Sequence, residues 1–204
     1  MPTAFRILSF LILSLVVSLL FADEAPPYRP YDRESANKQY VAKVTIHEED
    51  KDKNRYDARW VLTIYKKTAK GEEKLWTVPF FHRGYWGGAL SDDGQVLVDA
   101  EQWYYHHEPA VIVYSKGKEV GRILGKDFGV PESKREKTES HELWLSENSF
   151  STELRRENEF VKTTDGYDYK IYTIDGNIHL IDCKTGKIKK TQKQEPETVP
   201  SSKK

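Results

Sequence analysis

The run Trp103-Tyr104-Tyr105-His106-His107-Glu108 is the densest cluster of aromatic and imidazole side chains in this sequence, and two kinds of chemistry are open to it. A metal site is the first. Adjacent histidines on a strand point to opposite faces, so three convergent ligands would need His82 or His141 to join them. A ligand surface is the second. Trp86, Trp103, Tyr104 and Tyr105 offer flat faces to a sugar ring or a peptide side chain, and Tyr and Trp add polar tips for hydrogen bonds. With His106 and His107 these are the candidate ligand-binding residues. A structural role competes with both, in which the aromatics cap a sheet core from a long hairpin loop.

Catalytic chemistry finds little support. The chain has no G-x-S-x-G elbow, H-E-x-x-H helix, phosphate-cradling glycine loop or C-x-x-C pair. Cys183 follows His179 by four residues, and on a strand the two share a face about 13 Å apart, too far for a thiolate-imidazole pair. A half-buried free thiol is the expectation. The acidic stretch His47 to Tyr56 interleaves Lys51 and Lys53 with its carboxylates and lacks an EF-hand glycine and closing Glu, so a solvated loop is expected in preference to a calcium site. Carboxylates are plentiful, but no pair stands out for glycoside hydrolysis. We expect no catalytic residue, no metal and no cofactor.

Composition points to a compartment. Arg6, the apolar run Ile7 to Phe21 and Ala22 before Asp23-Glu24 have the shape of a secretory leader over residues 1–22. The run is short for a membrane-spanning helix, which makes a retained anchor the weaker reading. Without the leader's single Arg the chain carries 31 Lys and Arg (32 minus 1) against 32 Asp and Glu, too balanced for a basic field that would pair phosphates. Nucleic acid is therefore not an expected partner. Cys183 is the only cysteine, so no intramolecular disulfide forms and the fold must rest on its core. Export to the periplasm or beyond, with no stable membrane span after cleavage, is the expected localisation.

The elements that must position the aromatic run read as strands. A proline-rich lead-in (23–38) is expected to be extended and weakly ordered. In Gln39 to Ile46, Tyr40, Ala42, Val44 and Ile46 alternate with polar residues, and only Val41 breaks the pattern. Arg59 to Tyr65 and Leu75 to Phe80 follow, turned at Lys70-Gly71, with Pro79 placing the latter at an edge or a strand end. Phe81 to Gly88 reads as an irregular bend. Gln95 to Val98, the β-branched run Ala110 to Tyr114 and Glu119 to Leu124 follow, the middle one with the composition of a strand buried on both faces. The connection 125–142 has room for one short helix near Pro131. Leu143 to Leu145 reads as a short strand, and 149–161 leans the same way. Tyr167 to Thr173 and Asn177 to Asp182 form a hairpin at Asp175-Gly176, with Ile178 and Leu180 expected inside. Glycines at 166, 176 and 186 recur every ten residues, the rhythm of short antiparallel strands. The domain is expected to span 39–190, with a disordered tail over 191–204.

Two segments carry a resemblance. Ser91-Asp92-Asp93-Gly94 before Val96-Leu97-Val98, then Val111-Ile112-Val113-Tyr114 and Gly117, resembles the hairpin of WD40-like β-propeller blades. Asp175-Gly176-Asn177-Ile178-His179-Leu180-Ile181-Asp182 with Thr185-Gly186-Lys187 resembles the return of pyrroloquinoline-quinone-type propeller repeats. The set of SDDG, Asp99 to Trp103 and VIVY is similar to exported bacterial proteins that carry no assigned activity. The resemblance implies propeller-like meanders and brings no quinone or catalytic residue with it. A closed propeller takes at least about four blades of four strands. The expected fold is therefore all-β, an antiparallel β-meander of about nine or ten strands, propeller-blade-like or sandwich-like and not a closed propeller.

The expected function is an exported, non-catalytic module that binds a protein or glycan partner. A small hydrolase with a site assembled from distant His and carboxylate residues is the alternative, and a structural subunit of the envelope is a third.

Overall fold

The computed structural model describes residues 28–84, 88–100, 103–105, 108–138, 141–146 and 160–193. They form fifteen strands and no α-helix, so the chain is all-β. The first four strands, β1 (Tyr31–Glu34), β2 (Tyr40–Ile46), β3 (Trp60–Thr68) and β4 (Gly71–Phe80), make an antiparallel sheet in chain order. Next come β5 (Ala89–Leu90) and β6 (Val96–Ala100), the three-residue β7 (Trp103–Tyr105), then β8 (Pro109–Ser115) and β9 (Lys118–Leu124). The second sheet has the order β5-β6-β8-β9. β7 leaves it to join β10 (Glu136–Lys137) and β11 (His141–Leu143) in a small third sheet, β10-β11-β7. β12 (Phe160–Thr163), β13 (Gly166–Tyr172), β14 (Asn177–Asp182) and β15 (Lys187–Lys193) form the fourth in chain order. All pairings are antiparallel, and none of the four sheets closes on itself.

Side-chain parity explains the layering. Ala42, Val44, Trp60, Leu62, Ile64, Val78 and Phe80 pack from the first sheet onto Leu90, Leu97, Ile112 and Tyr114 of the second. Val96, Val98, Val111 and Val113 point the other way, onto Tyr169, Ile171, Ile181 and Cys183 of the fourth sheet, with Trp144 and Phe128 filling between. The second sheet is thus the middle layer. Ala110 to Tyr114 are all 0 % exposed, as the continuous apolar run predicts. Val111, Ile112 and Val113 each contribute about 1.5–3 kcal/mol by leaving water.

The Ser91-Asp92-Asp93-Gly94 turn ties the three layers together. Ser91 Oγ donates to Asp93 (2.7 Å) and accepts from the Val96 N–H (3.0 Å), which shapes the turn itself. Asn37 donates its backbone N–H and its side-chain amide to Asp92 (both 2.8 Å), and Trp76 Nε1 donates to the Gly94 carbonyl (2.8 Å). On the other side the Tyr167 hydroxyl is hydrogen-bonded to Asp93. Burial first, and then the Asp93 charge, push that hydroxyl up to about 12.

Several expectations change. Residues 31–34 of the lead-in pair with β2, and the last described strand ends at Lys193. The strand count rises above ten because two- to four-residue strands and the lysine-rich β15 carry too little alternation to read. The connection 125–142 holds two short 3₁₀ turns, at Gly125–Phe128 and Glu132–Lys134, and no longer helix. On β14 the expected face is reversed. The register Ile171↔His179 and Tyr169↔Ile181 turns His179 and Ile181 inward, and leaves Ile178 and Leu180 half-buried on the outer face. The stretch 147–159 lies outside the described residues.

The acidic loop is also more built than a solvated hairpin. Asp50 sits in a 3₁₀ turn with a side chain only 1 % exposed, accepting from the Arg59 N–H and Nε (both 2.8 Å) and from Lys53 (2.9 Å). Hydrogen bonds from the Arg59 side chain, then its backbone, then Lys53 hold that carboxyl far below the usual range. Asp50 therefore spends its charge on closing the loop.

Candidate functional site

Of the six candidate residues, Trp86, His106 and His107 lie outside the described residues. The backbone of Trp103, Tyr104 and Tyr105 is β7, so this part of the expected loop is a strand. Its register with β11 is Trp103↔Leu143, Tyr104↔Glu142 and Tyr105↔His141. Sequence reasoning weighed His141 only as a distant metal ligand and passed over Glu142. The structure sets both beside the aromatic run.

β11 is a charged, enclosed partner. His141 is 4 % and Glu142 6 % exposed. A tight turn fixes the strand, with the Thr138 N–H donating to the His141 carbonyl (3.0 Å) and the His141 N–H donating to Thr138 Oγ1 (3.1 Å). Glu142 receives Arg135 on one oxygen and faces Lys137 with the other at 3.7 Å; Lys137 also reaches Glu132 at 2.6 Å. This Lys137 contact, by hydrogen bond and then by charge, holds the Glu132 carboxyl below its ordinary value. A carboxylate held between two cations stabilises the strand and is poorly placed to take a proton from a substrate.

Among the described residues β7 lies at the edge of its sheet, since the order is β10-β11-β7. Among the described residues every other edge except the two-residue β5 (Ala-Leu) carries charge or proline: β10 is Glu-Lys, β4 holds Glu72, Glu73, Lys74 and Pro79, and β15 holds Lys187, Lys189, Lys190 and Lys193. Trp-Tyr-Tyr has neither. Natural sheets guard their edges with such residues, and this edge lacks them.

Three of the candidates for catalysis, Cys183, His179 and His82, are engaged in packing and hydrogen bonds. Cys183 is buried, its sulfur 3.8 Å from the Ile181 carbonyl, and burial pushes the thiol up to about 12. Such a thiol is not ionised at neutral pH. His179 is 1 % exposed and uses both ring nitrogens, Nε2 with Thr173 Oγ1 (3.2 Å) and Nδ1 with Thr191 Oγ1 (2.9 Å). Thr173 donates its own proton to Asp175 (2.6 Å), so it accepts from Nε2–H, while burial disfavours the charged form of the ring. His82 is held likewise. Its Nδ1 accepts the Gly84 N–H (2.8 Å), which leaves Nε2–H to donate to the Arg29 carbonyl (3.0 Å), and the ring lies against Trp60 (4.3 Å) and Tyr28 (5.0 Å). Among the described residues no three His, Cys, Asp or Glu side chains converge on a metal-sized site.

Both histidines titrate below the ordinary value, chiefly through burial. The unfolded chain takes up these protons near pH ~6.5 and the folded chain only at lower pH. Their contribution to stability is full above about pH 6.5 and is lost as pH falls towards the folded values. Urea unfolding between pH 7.5 and 5.5 is expected to show a loss that shrinks by about half in His179→Asn. An unchanged pH slope in that variant would remove His179 from the linkage.

No family model matches this chain, and no curated protein matches it.

Proposed function

We propose that the protein is an exported, non-catalytic binding module that takes a protein or glycan partner at the aromatic β7 edge. The observation that carries this reading is the uncharged, three-residue aromatic run Trp103-Tyr104-Tyr105 on a sheet edge among the described residues, where every other edge except the two-residue β5 is charged or carries proline. The imidazoles of His82 and His179 and the buried thiol of Cys183 are committed to packing and hydrogen bonds, which favours binding over turnover. The leader-like residues 1–22 support export. Three four-stranded sheets stacked through two apolar layers are what successive propeller blades would form, and three fall short of the four that closure needs.

A glycan array and a panel of extended peptides, read with the parent chain and with Trp103→Ala and Tyr105→Ala, test the site. Each loss of an aromatic face is expected to weaken a hit by about tenfold or more, with far-ultraviolet circular dichroism unchanged. Equal binding by both variants removes this segment from the function.

A further inference from the structure

The outer face of the fourth sheet has a composition that the packing among the described residues does not use. Rows of cross-strand partners share a face, and the central row here is Lys170↔Leu180↔Lys190, flanked by Tyr172↔Ile178↔Gln192 and by Asp168↔Asp182↔Lys187. Ile178 and Leu180 are half-buried and belong to neither core cluster, because those clusters lie on the other side of β14. Both carboxylates of the face are already engaged. Asp168 is bound by Lys189 (3.0 Å), and Asp182 accepts the Lys184 N–H (2.8 Å) and the Thr185 hydroxyl (3.0 Å) at the turn. Lys170, Lys187 and Lys190 form no ion pair among the described residues.

Edge protection explains part of this. Lysines on β15 discourage pairing with another chain. Lys170 is different, since it sits on β13, an interior strand with β12 on one side and β14 on the other. The first sheet, at the opposite end of the stack, shows what a closed outer face looks like. There Lys43 meets Glu72 (2.7 Å) and lies over Tyr65, and Thr77 donates to Thr63 (3.2 Å).

We propose that this face, with Leu180 and Ile178 at its centre and Lys170, Lys187 and Lys190 around them, docks an acidic protein segment that carries apolar side chains at alternate positions. Alternation matches the sheet's own spacing, so apolar groups would cover the aliphatic pair while carboxylates reach the lysines. A second copy of the chain is disfavoured by charge, because it would bring the same three cations against themselves. A lipid surface is disfavoured by shape, because the two aliphatic side chains are half-sunk in a sheet and do not project as an inserting wedge.

The test is fluorescence anisotropy of the full chain with a labelled peptide of alternating Glu and Val. Three probes run beside it: the same peptide with Lys for Glu, a polyglutamate peptide, and phosphatidylglycerol vesicles. The Glu-Val peptide is expected to bind more tightly than polyglutamate, the Lys-Val peptide not at all, and binding is expected to fall as salt rises. Lys170→Glu with Lys190→Glu is expected to weaken it by about tenfold or more, Ile178→Thr by less, and Lys66→Glu on the first sheet to leave it unchanged. The proposal is overturned by no Glu-Val binding, by binding that Lys170→Glu with Lys190→Glu leaves intact, by polyglutamate binding equally well, or by binding to vesicles alone.

Discussion

Asp99→Ala is expected to lower the unfolding free energy by about 3–5 kcal/mol, a large share of the roughly 5–15 kcal/mol that holds a domain folded. Asp99 lies in the middle layer, on β6, and its carboxylate meets Arg83 Nη2 at 2.9 Å with side-chain exposures of 4 % and 2 %. The guanidinium also donates to the carbonyls of Pro109 (2.5 Å), Ala110 (3.3 Å) and Asp99 itself (3.3 Å). Without the carboxylate those carbonyls remain, but they carry only partial charge, and the buried guanidinium loses the full negative charge that lies 2.9 Å from it. Asp99→Asn keeps an acceptor of the same shape and is expected to lose nearly as much, because the missing element is charge. Replacing both partners, Arg83→Met with Asp99→Leu, removes the cation together with its counterion and is expected to cost less than either single change. Urea unfolding followed by tryptophan fluorescence reads these variants beside the parent and the Arg83→Met and Asp99→Leu singles. A double variant as unstable as the sum of the singles would mean that packing, and not charge, makes this pair matter. Arg83 also bears on the proposed site, since it anchors the 81–84 bend to β6 and β8 directly before Tyr85-Trp86.

The legible parts of this chain are those where local pattern and burial agree. Ala110 to Tyr114 is β-branched and aromatic throughout, and a strand with apolar groups on both faces has to be an inner layer. The turns at Lys70-Gly71, Lys116-Gly117 and Asp175-Gly176 fall between paired strands as their chemistry requires. β14 was illegible for a physical reason. Asn177 to Asp182 has aliphatic residues on both parities, and His179 reads as a surface residue until Thr173 and Thr191, from two other parts of the chain, satisfy its nitrogens. β15 hides because Ile188 is its only apolar residue. Asp99 left one local trace, an acid inside the apolar run Val96 to Ala100, whose meaning depends on an arginine sixteen residues away. For the candidate site, the aromatic run could be picked out by composition. Its place on a strand edge beside His141 and Glu142 depends on a pairing across more than thirty residues of chain, and no local rule gives that.

Gly186→Ala is expected to cost about 2–5 kcal/mol, as the sum of two separable effects. The first is backbone. Gly186 has φ +64° in the β14–β15 turn, where an L side chain costs roughly 1–2 kcal/mol. The second is contact. A Cβ there would lie 2.5 Å from Gly121 Cα and 2.7 Å from Gly121 N, both backbone atoms of β9, so two sheets would have to move apart at an added cost of about 1–3 kcal/mol. Gly176→Ala is the control for the first effect, since its φ is +76° and a Cβ would meet nothing within 4 Å. Gly121→Ala is the control for the second, with a Cβ 2.8 Å from Gly186 Cα and no positive φ. The loss in Gly186→Ala should therefore approach the sum of the losses in the two controls. The Gly121→Ala, Gly186→Ala double variant should fall short of additivity, because one displacement of the sheets relieves both clashes. Thermal or urea unfolding of the four variants decides it. If Gly186→Ala costs no more than Gly176→Ala, the glycine pair does not set the spacing of the second and fourth sheets. The orientation of the lysine-bearing face relative to the middle layer would then rest on the apolar cluster alone.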